Sequence, residues 1–358
     1  MELDPVQKPA RRGRNSITIH DVAKHSGVSP MTVSRVINGE ANVRDETRQR
    51  VLVSVEALNY FPSSSARSLA ARDDTQIAVL YTNPSTSYLN EILIGALTQT
   101  GLCGCRLTLA KCEGIDETLE MVDDLAAAGI DGILLPAPLS NSNRVALALD
   151  RVNLPSVGIA AAQQPPGRTV IAIDDHAAAF AMTTRLIELG HTRIGFIKGH
   201  PNNRASDFRT EGFYAAMNAA GLDVEVDLVV QGYFDYHSGF EAASVLLGRP
   251  NRPTAIFASN DDMAAGVLAN AHSFGVSVPS ELSVVGFDDT TTATTVWPEL
   301  TTVRQPTVQM ASRAVELLLL QIRAKRVGAT FEPRRERRDF DIIERQTSAP
   351  APETQSGS

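Results

Sequence analysis

The chain is poor in aromatic residues (5%, with a single tryptophan) and has only three cysteines in 358 residues. Cys103, Cys105 and Cys112 fall in one stretch, odd in number and without a second pair at metal-ligand spacing. They read as free thiols rather than as a disulfide framework or a metal site, and no metal or other cofactor is expected. Also absent is any apolar run approaching the ~18 residues of a membrane-spanning helix. The opening "MELDPVQKPARRGRNS" has basic residues but no apolar core of a signal peptide. A cytoplasmic protein is expected. Enzyme signatures are missing too: there is no G-x-G-x-x-G, no Walker loop, no H-E-x-x-H and no G-x-S-x-G. Asp174-Asp175-His176 is the nearest approach to a catalytic cluster, and it reads better as a strand end leading into a helix. An enzyme on a doubly wound scaffold is therefore the distant alternative.

Positive charge is lacking overall but not locally. The net charge is −8, yet Pro5–Arg72 holds eleven Lys/Arg against five Asp/Glu. That surplus of six leaves −14 for the remainder. A basic nucleic-acid-binding head on an acidic body has this asymmetry.

The head can be read residue by residue. Thr18 is placed to cap a helix through "IHDVAKHS", with Ile19, Val22, Ala23 and Ser26 on one face and Gly27 at its end. Ser29 then caps a second helix, with Pro30 in its first turn, where a missing N–H costs nothing. Val33, Val36 and Ile37 form its inner stripe, leaving Met31, Thr32, Ser34 and Arg35 outside. Two helices joined by a short Gly-containing turn fit a helix-turn-helix, whose second helix enters the major groove. There Arg35 can offer its fork to guanine, and the hydroxyls of Ser29, Thr32 and Ser34 can meet phosphates. The alternative for Arg35 is a solvated surface residue. "DETRQRVLVSVEALNY" supplies a third helix through Val51, Val55 and Leu58, with Arg44 at a cap position where Ser or Thr would serve better. "SSSARSLAA" follows, a short run with one large apolar side chain, Leu69.

From Ile17 to Ala70 this stretch closely resembles the headpiece and hinge of the lactose-repressor (LacI) family. The resemblance implies a hinge that becomes helical only on the operator, with Leu69 wedging into a central CG step and Ala66 and Ala70 as its small neighbours. It also implies that Pro30, Met31 and Arg35 hold base-reading positions and that Thr18, Ser29, Thr32 and Ser34 face the DNA. An apolar wedge of this kind kinks DNA at the cost of unstacking.

Downstream, the runs "IAVLY", "GILLP", "SVGIA", "IGFIKG", "AIFAS" and "SVVGF" alternate with helical stretches. That pattern predicts an α/β, doubly wound parallel architecture. "IAVLY…LNEILIGALTQTG" and "IGFIKG…RTEGFYAAMNAAG" echo one another, so two similar lobes around a cleft are expected. The family resemblance continues through "LIELGHTRIGFIKG", "FRTEGFYAAM", "SNDDMAAG", "SVVGFDDT" and "LTTVRQP". It implies a two-lobed core like that of periplasmic sugar-binding proteins. The expected division is a disordered tail to residue 16, headpiece 17–61, hinge 62–74 and core 75–346. Within the core, lobe 1 takes about 75–174 and 305–333, and lobe 2 about 175–304 and 334–346. Residues 347–358 are Ser/Pro/Ala-rich and are expected to be disordered; they lack a leucine heptad, so a homodimer is expected rather than a tetramer.

By the same resemblance the effector contacts are Tyr88, Leu89, Asn203, Arg209, Phe234, Asn260, Asp288 and Gln305. Planar polar forks beside one aromatic face suit a sugar. Other readings remain open at three of them: a cap pair for Asp288 with Asp289, an interlobe ion pair for Arg209, and a core position for Phe234. The chain departs from the family at Ala160-Ala161-Ala162, where several members place an acidic or aromatic contact, and at Pro136, where the family's namesake offers an amide. The expected function is a transcriptional repressor of carbohydrate-use genes, binding a palindromic operator under the control of a small sugar. A purine- or phosphosugar-responsive corepressor type is the alternative, since in this family sugars usually cause release and purines promote binding.

Overall fold

A computed structural model describes residues 18–37, 43–58, 75–162 and 165–352. It divides into two units, 1–74 and 75–358. The calls on Ala66, Leu69 and Ala70, on the hinge and on the N-terminal tail lie outside the described residues.

The small unit contains three helices, Ile19–Ser26, Pro30–Ile37 and Asp45–Ala57. The first begins where the backbone N–H and hydroxyl of Thr18 both donate to Asp21 Oδ2, at 2.8 and 2.7 Å. It ends at Gly27, whose φ of 68° is left-handed and suits a residue without Cβ. Ser29 Oγ accepts from the Thr32 N–H at 3.2 Å, as a cap should. At the third helix the Arg44 carbonyl takes the Thr47 and Arg48 N–H groups, and Asp45 and Glu46 in the first turn complement the helix dipole. Val22, Ala23, Val33, Val36 and Val51 form the core, flanked by Ile19, Val55 and Leu58. A core of this size supplies no more than about 3–5 kcal/mol.

The large unit is built on two six-stranded sheets. The first has the order β11-β5-β4-β3-β1-β2. Its strands are β1 (Gln76–Tyr81), β2 (Arg106–Lys111), β3 (Gly132–Pro136), β4 (Ser156–Ile159), β5 (Thr169–Ala172) and β11 (Arg335–Arg337). The second has the order β12-β10-β9-β8-β6-β7. It comprises β6 (Ile194–Lys198), β7 (Val229–Gln231), β8 (Ala255–Ala258), β9 (Ser283–Asp288), β10 (Thr301–Arg304) and β12 (Asp341–Ile343). All pairings are parallel except β10 with β12. Strands β3, β4, β8 and β9 are buried along their whole length, which is why they appear in the sequence as unbroken apolar runs. Helix Thr86–Cys103 crosses helix Thr307–Arg326 so closely that a Cβ on Gly95 would strike the Val308 carbonyl.

Two boundaries differ from expectation. The return segment of the first lobe does not stop at 333: β11 pairs in parallel with β5, Arg335 opposite Val170, so the chain leaves that lobe only after Arg337. Residues 347–352 are also not a free tail. Thr347 is fully buried, its Oγ1 accepting from the Thr301 N–H at 2.8 Å, and the Ala351 N–H reaches the Leu189 carbonyl at 2.8 Å. His191 helps to hold this segment: Nε2 lies 3.1 Å from the Ala349 carbonyl and 3.0 Å from Ser283 Oγ. Composition suggested disorder because the segment buries few apolar groups; it is held by hydrogen bonds instead.

Candidate functional site

On the small unit, the outer arc of helix Pro30–Ile37 carries the proposed reading residues. Met31 is 66% exposed and Arg35 is also exposed, while Pro30, Thr32 and Ser34 are half-buried. Single exposed apolar side chains are ordinary on protein surfaces, so the exposure of Met31 and Arg35 establishes only that both are reachable from outside the unit. The hydroxyls of Ser29 and Thr32 lie 2.9 Å apart and bond to one another.

In the large unit the cleft between the lobes has two connected chambers. The inner one holds about 20 Å³, room for roughly one water. Tyr88, Asn203, Arg209, Phe234, Asn260, Asp288 and Gln305 all line it, so seven of the eight expected effector residues converge. Leu89 does not. It follows Tyr88 on a helix, where consecutive residues diverge, and it is buried away from both chambers.

Arg209 is the charge at its centre. The helix Arg204–Ala219 carries it inward, 5% exposed. Its Nε donates to Asp175 Oδ1 at 2.8 Å and its Nη1 to the Ser259 carbonyl at 2.5 Å. Asp288 Oδ1 lies 3.8 Å from Nη1, and the guanidinium stacks 3.5 Å above the Phe287 ring. Asp175 and Arg209 belong to the same lobe, so this is not an interlobe ion pair. Asp174 caps the helix Asp175–Glu188 by accepting from the Ala177 N–H, which leaves Asp175 to serve Arg209. That division of labour is the signal in "DDH" that sequence reasoning passed over.

Asp288 stands at the end of β9 with φ of 113° and accepts from Gln305 Nε2 at 2.6 Å. Burial pushes its carboxyl up to about 7, against the opposing pull of Arg209 and Gln305. Asp289 is not a cap; it binds Arg304 and Arg345, each at 2.6 Å. Burial also raises Asp175, with Arg209 opposing, and holds Asp261 well above the usual carboxylate range. Asp261 braces the site by accepting from Thr302 Oγ1 at 2.6 Å and the Thr290 N–H at 2.7 Å.

Asn203 and Asn260 are both helix caps: their side-chain oxygens accept from the Ala205 and Met263 N–H groups. Asn260 Nδ2 also donates to the Phe234 carbonyl at 3.0 Å, fixing a residue whose φ is 66°. The Phe234 ring fills the place where a Cβ on Gly199 would be, so that glycine is what admits the ring to the chamber wall. Two buried polar atoms of the chamber, Tyr88 Oη and Gln305 Oε1, have no hydrogen-bond partner. Burial raises the Tyr88 phenol, which stays neutral.

Besides Tyr88, the first lobe gives this wall Asn83, Ser85, Ala137 and Ala160. Ser85 and Ser87 also reach across to the second lobe. Ser85 Oγ accepts from the Tyr88 N–H and donates to Asp262 Oδ2 at 2.7 Å. Ser87 Oγ donates to Asp262 Oδ1 at 3.0 Å and lies 2.8 Å from Thr292 Oγ1. Four groups thus clasp the lobes beside the chamber. Neither serine nor Asp262 was singled out from sequence. The outer chamber, about 720 Å³, shares Asn83, Asn203 and Phe234 with the inner one. Trp297 lies in neither; it is 81% exposed beside a separate groove of the second lobe. No cluster able to hold a metal ion occurs among the described residues, the three cysteines form no disulfide, and no helix among them is long and apolar enough to cross a membrane.

Comparison with known proteins bears on both units. Residues 18–63 match the model of the bacterial regulatory proteins of the lacI family, and 183–348 that of a periplasmic binding protein-like domain. Catabolite control protein A of Priestia megaterium is 32% identical over 320 residues, 88% of this chain and 96% of that protein. The HTH-type transcriptional repressor PurR of Photorhabdus laumondii is 34% identical over 314 residues, 87% and 92% of the two chains. Among solved structures, the transcriptional regulator CelR in complex with cellobiose superposes with a TM-score of 0.70 at 30% identity, covering 93% of this chain and all of that one. A lac repressor dimer bound to operator and an anti-inducer shares the fold, with a TM-score of 0.68 at 24% identity over 94% and 100% of the two chains.

Proposed function

This chain belongs to the lacI family of bacterial regulatory proteins, and from that premise we propose that a neutral sugar in the cleft between the lobes, its hydroxyls turned into the inner chamber, controls its grip on an operator. The protein is a DNA-binding transcriptional regulator, and the relatives named above are regulators rather than enzymes. It acts in the cytoplasm as a homodimer, each helix Pro30–Ile37 reading one half of a palindrome.

The observation that carries the sugar reading is the charge balance around Arg209. Its guanidinium already serves Asp175 and faces Asp288, so one positive charge meets two acidic groups. Such a chamber has no surplus cation for a phosphate or carboxylate ligand. Tyr88 Oη and Gln305 Oε1, buried without partners, match a ligand that both accepts and donates through hydroxyls. Effector control then requires that the sugar bind one lobe arrangement better than the other, because only differential affinity shifts the equilibrium. A purine corepressor is the second reading. It is favoured by the PurR relatives and by the aromatic face of Phe234.

Selection of bound sequences from randomised duplexes tests the DNA-binding half. A palindromic consensus is expected, and Arg35→Ala should weaken binding to it by about 1–3 kcal/mol while weakening random duplex less. Equal losses on both would make Arg35 a phosphate contact.

A further inference from the structure

We propose that Asp262 is a latch between the two lobes, closed by Ser85, Ser87 and Thr292, and that its opening and closing set the strength of operator binding. The proposal rests on the reading of the cleft as the effector site, and it assigns part of the switch to residues that no ligand need touch. Ser87, Asp262 and Thr292 line neither chamber.

Three hydroxyls converge on one carboxylate. Asp262 accepts from Ser85 Oγ at 2.7 Å, from Ser87 Oγ at 3.0 Å and from Thr292 Oγ1 at 2.9 Å. The serines come from the first lobe and the threonine from the second, so a single side chain is held to both. At the seam the Ser87 and Thr292 oxygens lie 2.8 Å apart. Ser87, Asp262 and Thr292 are half-buried, so water can replace each bond as it breaks. Such a contact biases the lobes toward one arrangement and can still release them.

Neither side can yield locally. Ser85 caps the helix Thr86–Cys103, which is pinned at Gly95 against the Val308 backbone. Asp262 stands in the first turn of the helix Asp261–Ser273, where a Cβ on Gly266 would strike the Tyr236 carbonyl. Elements packed this closely move as bodies rather than bend, so breaking the latch means parting the lobes.

The latch also shares a helical turn with the chamber wall. Asn260, Asp261 and Asp262 are consecutive, and each holds a different part of the molecule. Asn260 lines the inner chamber and fixes Phe234 through its carbonyl. Asp261 takes the Thr290 N–H and the Thr302 hydroxyl, beside Asp288 and Gln305 in the chain. Asp262 holds the first lobe. A ligand that displaces Asn260 or Asp288 therefore strains the latch without meeting it.

Ser87→Cys with Thr292→Cys puts two thiols where the hydroxyls now lie 2.8 Å apart, and mild oxidation should join them across the seam. Peptide mapping identifies the cross-link. Ser87→Ala and Asp262→Ala open the same seam, and Ser87→Ala leaves both helices their caps. Each full-length chain is titrated onto a duplex obtained by selection, with no sugar or purine added. The cross-linked chain and the two alanine variants should shift duplex affinity in opposite directions, each by about fivefold or more, and reduction should reverse the shift of the cross-linked chain. Loss of folding can only weaken binding in every variant and cannot split the signs. Thiols that do not cross-link, shifts of one sign throughout, or affinities within about twofold of the unaltered chain would each overturn the latch. The sugar reading falls separately, if no sugar binds the unaltered chain.

Discussion

The two lobes share an architecture and differ in what they bring to the cleft. Each is a six-stranded sheet with β1 and β6 in matching places, each of these strands leading into a helix that is followed by a left-handed glycine, Gly104 or Gly221. The second lobe supplies the charged set, Arg209, Asp175 and Asp288, with Asn260 beside it; the first supplies no charged side chain but the neutral polar Asn83, Ser85 and Tyr88, with Ala137 and Ala160. One lobe thus brings the charge to the cleft and the other a neutral wall. Similar folds evidently do not impose similar chemistry, which resides in the strand-end residues and can differ while the sheets stay alike. The asymmetry also implies that ligand selectivity belongs to the second lobe, and that the first contributes closure through Ser85 and Ser87 on Asp262.

The largest expected effect follows from breaking the charged side. Arg209→Ala leaves Asp175 and Asp288 buried without their cation, and removing one partner from such a group costs about 3–5 kcal/mol. Chemical denaturation should show that loss, accompanied by loss of sugar binding. A stability change below about 1 kcal/mol would mean that the acids simply take up protons, and the charge-balance argument would fail.

Next in size is a pH effect confined to the same lobe. Asp288 is raised to about 7, so folding to this state favours its protonated form, and its contribution to stability falls as pH rises from near 4 through 7. A sugar hydroxyl donating to the ionised carboxylate reverses this preference. Sugar affinity should therefore rise from pH 6 to 8, by up to about tenfold per unit below the pKa, and level off above it. Arg209, Asp175 and Asp262 surround the group and act in the same field, but Asp288→Asn should flatten the profile. Titration calorimetry across that range decides the matter; a flat profile in the unaltered chain would remove Asp288 from the contact set.

The smallest effect on stability is expected on the neutral side. Tyr88→Phe deletes a buried hydroxyl that has no partner, so the fold should change by less than about 1 kcal/mol, in the direction of a gain. Sugar affinity should nevertheless fall by about 0.5–1.5 kcal/mol if the phenol meets a ligand hydroxyl. Thermal melts with and without sugar separate the two. Unchanged affinity would remove the Tyr88 hydroxyl from the contact set.

Much of this was legible in the sequence. The strands buried on both faces announced themselves as apolar runs, and Arg209, Asp288 and Gln305 were placed through their motifs. What escaped was set by partners distant in the chain. Strand β2 alternates and is half-exposed at a sheet edge, and β11 is arginine-rich, so neither has an apolar signature. Residues 347–352 looked disordered because composition registers apolar content and not the hydrogen bonds offered by Thr301, Ser283 and His191. Asp262 and Ser85 are ordinary helix-terminus residues until folding brings them to 2.7 Å across 177 positions of sequence. Leu89 was included beside Tyr88 through the family resemblance, but both stand on one helix, where consecutive side chains diverge.

If a ligand of the charged lobe governs the DNA-reading helix of the other unit, operator affinity must depend on that ligand. Titrating the full-length chain onto a duplex obtained by selection, with and without each sugar of the panel, tests that coupling most directly. One neutral sugar should shift duplex affinity by about 1–3 kcal/mol, the usual size of an allosteric coupling, and Arg209→Ala should abolish the shift while leaving sugar-free binding unchanged. A phosphorylated sugar or a purine producing the shift while every neutral sugar leaves affinity unaltered would contradict it.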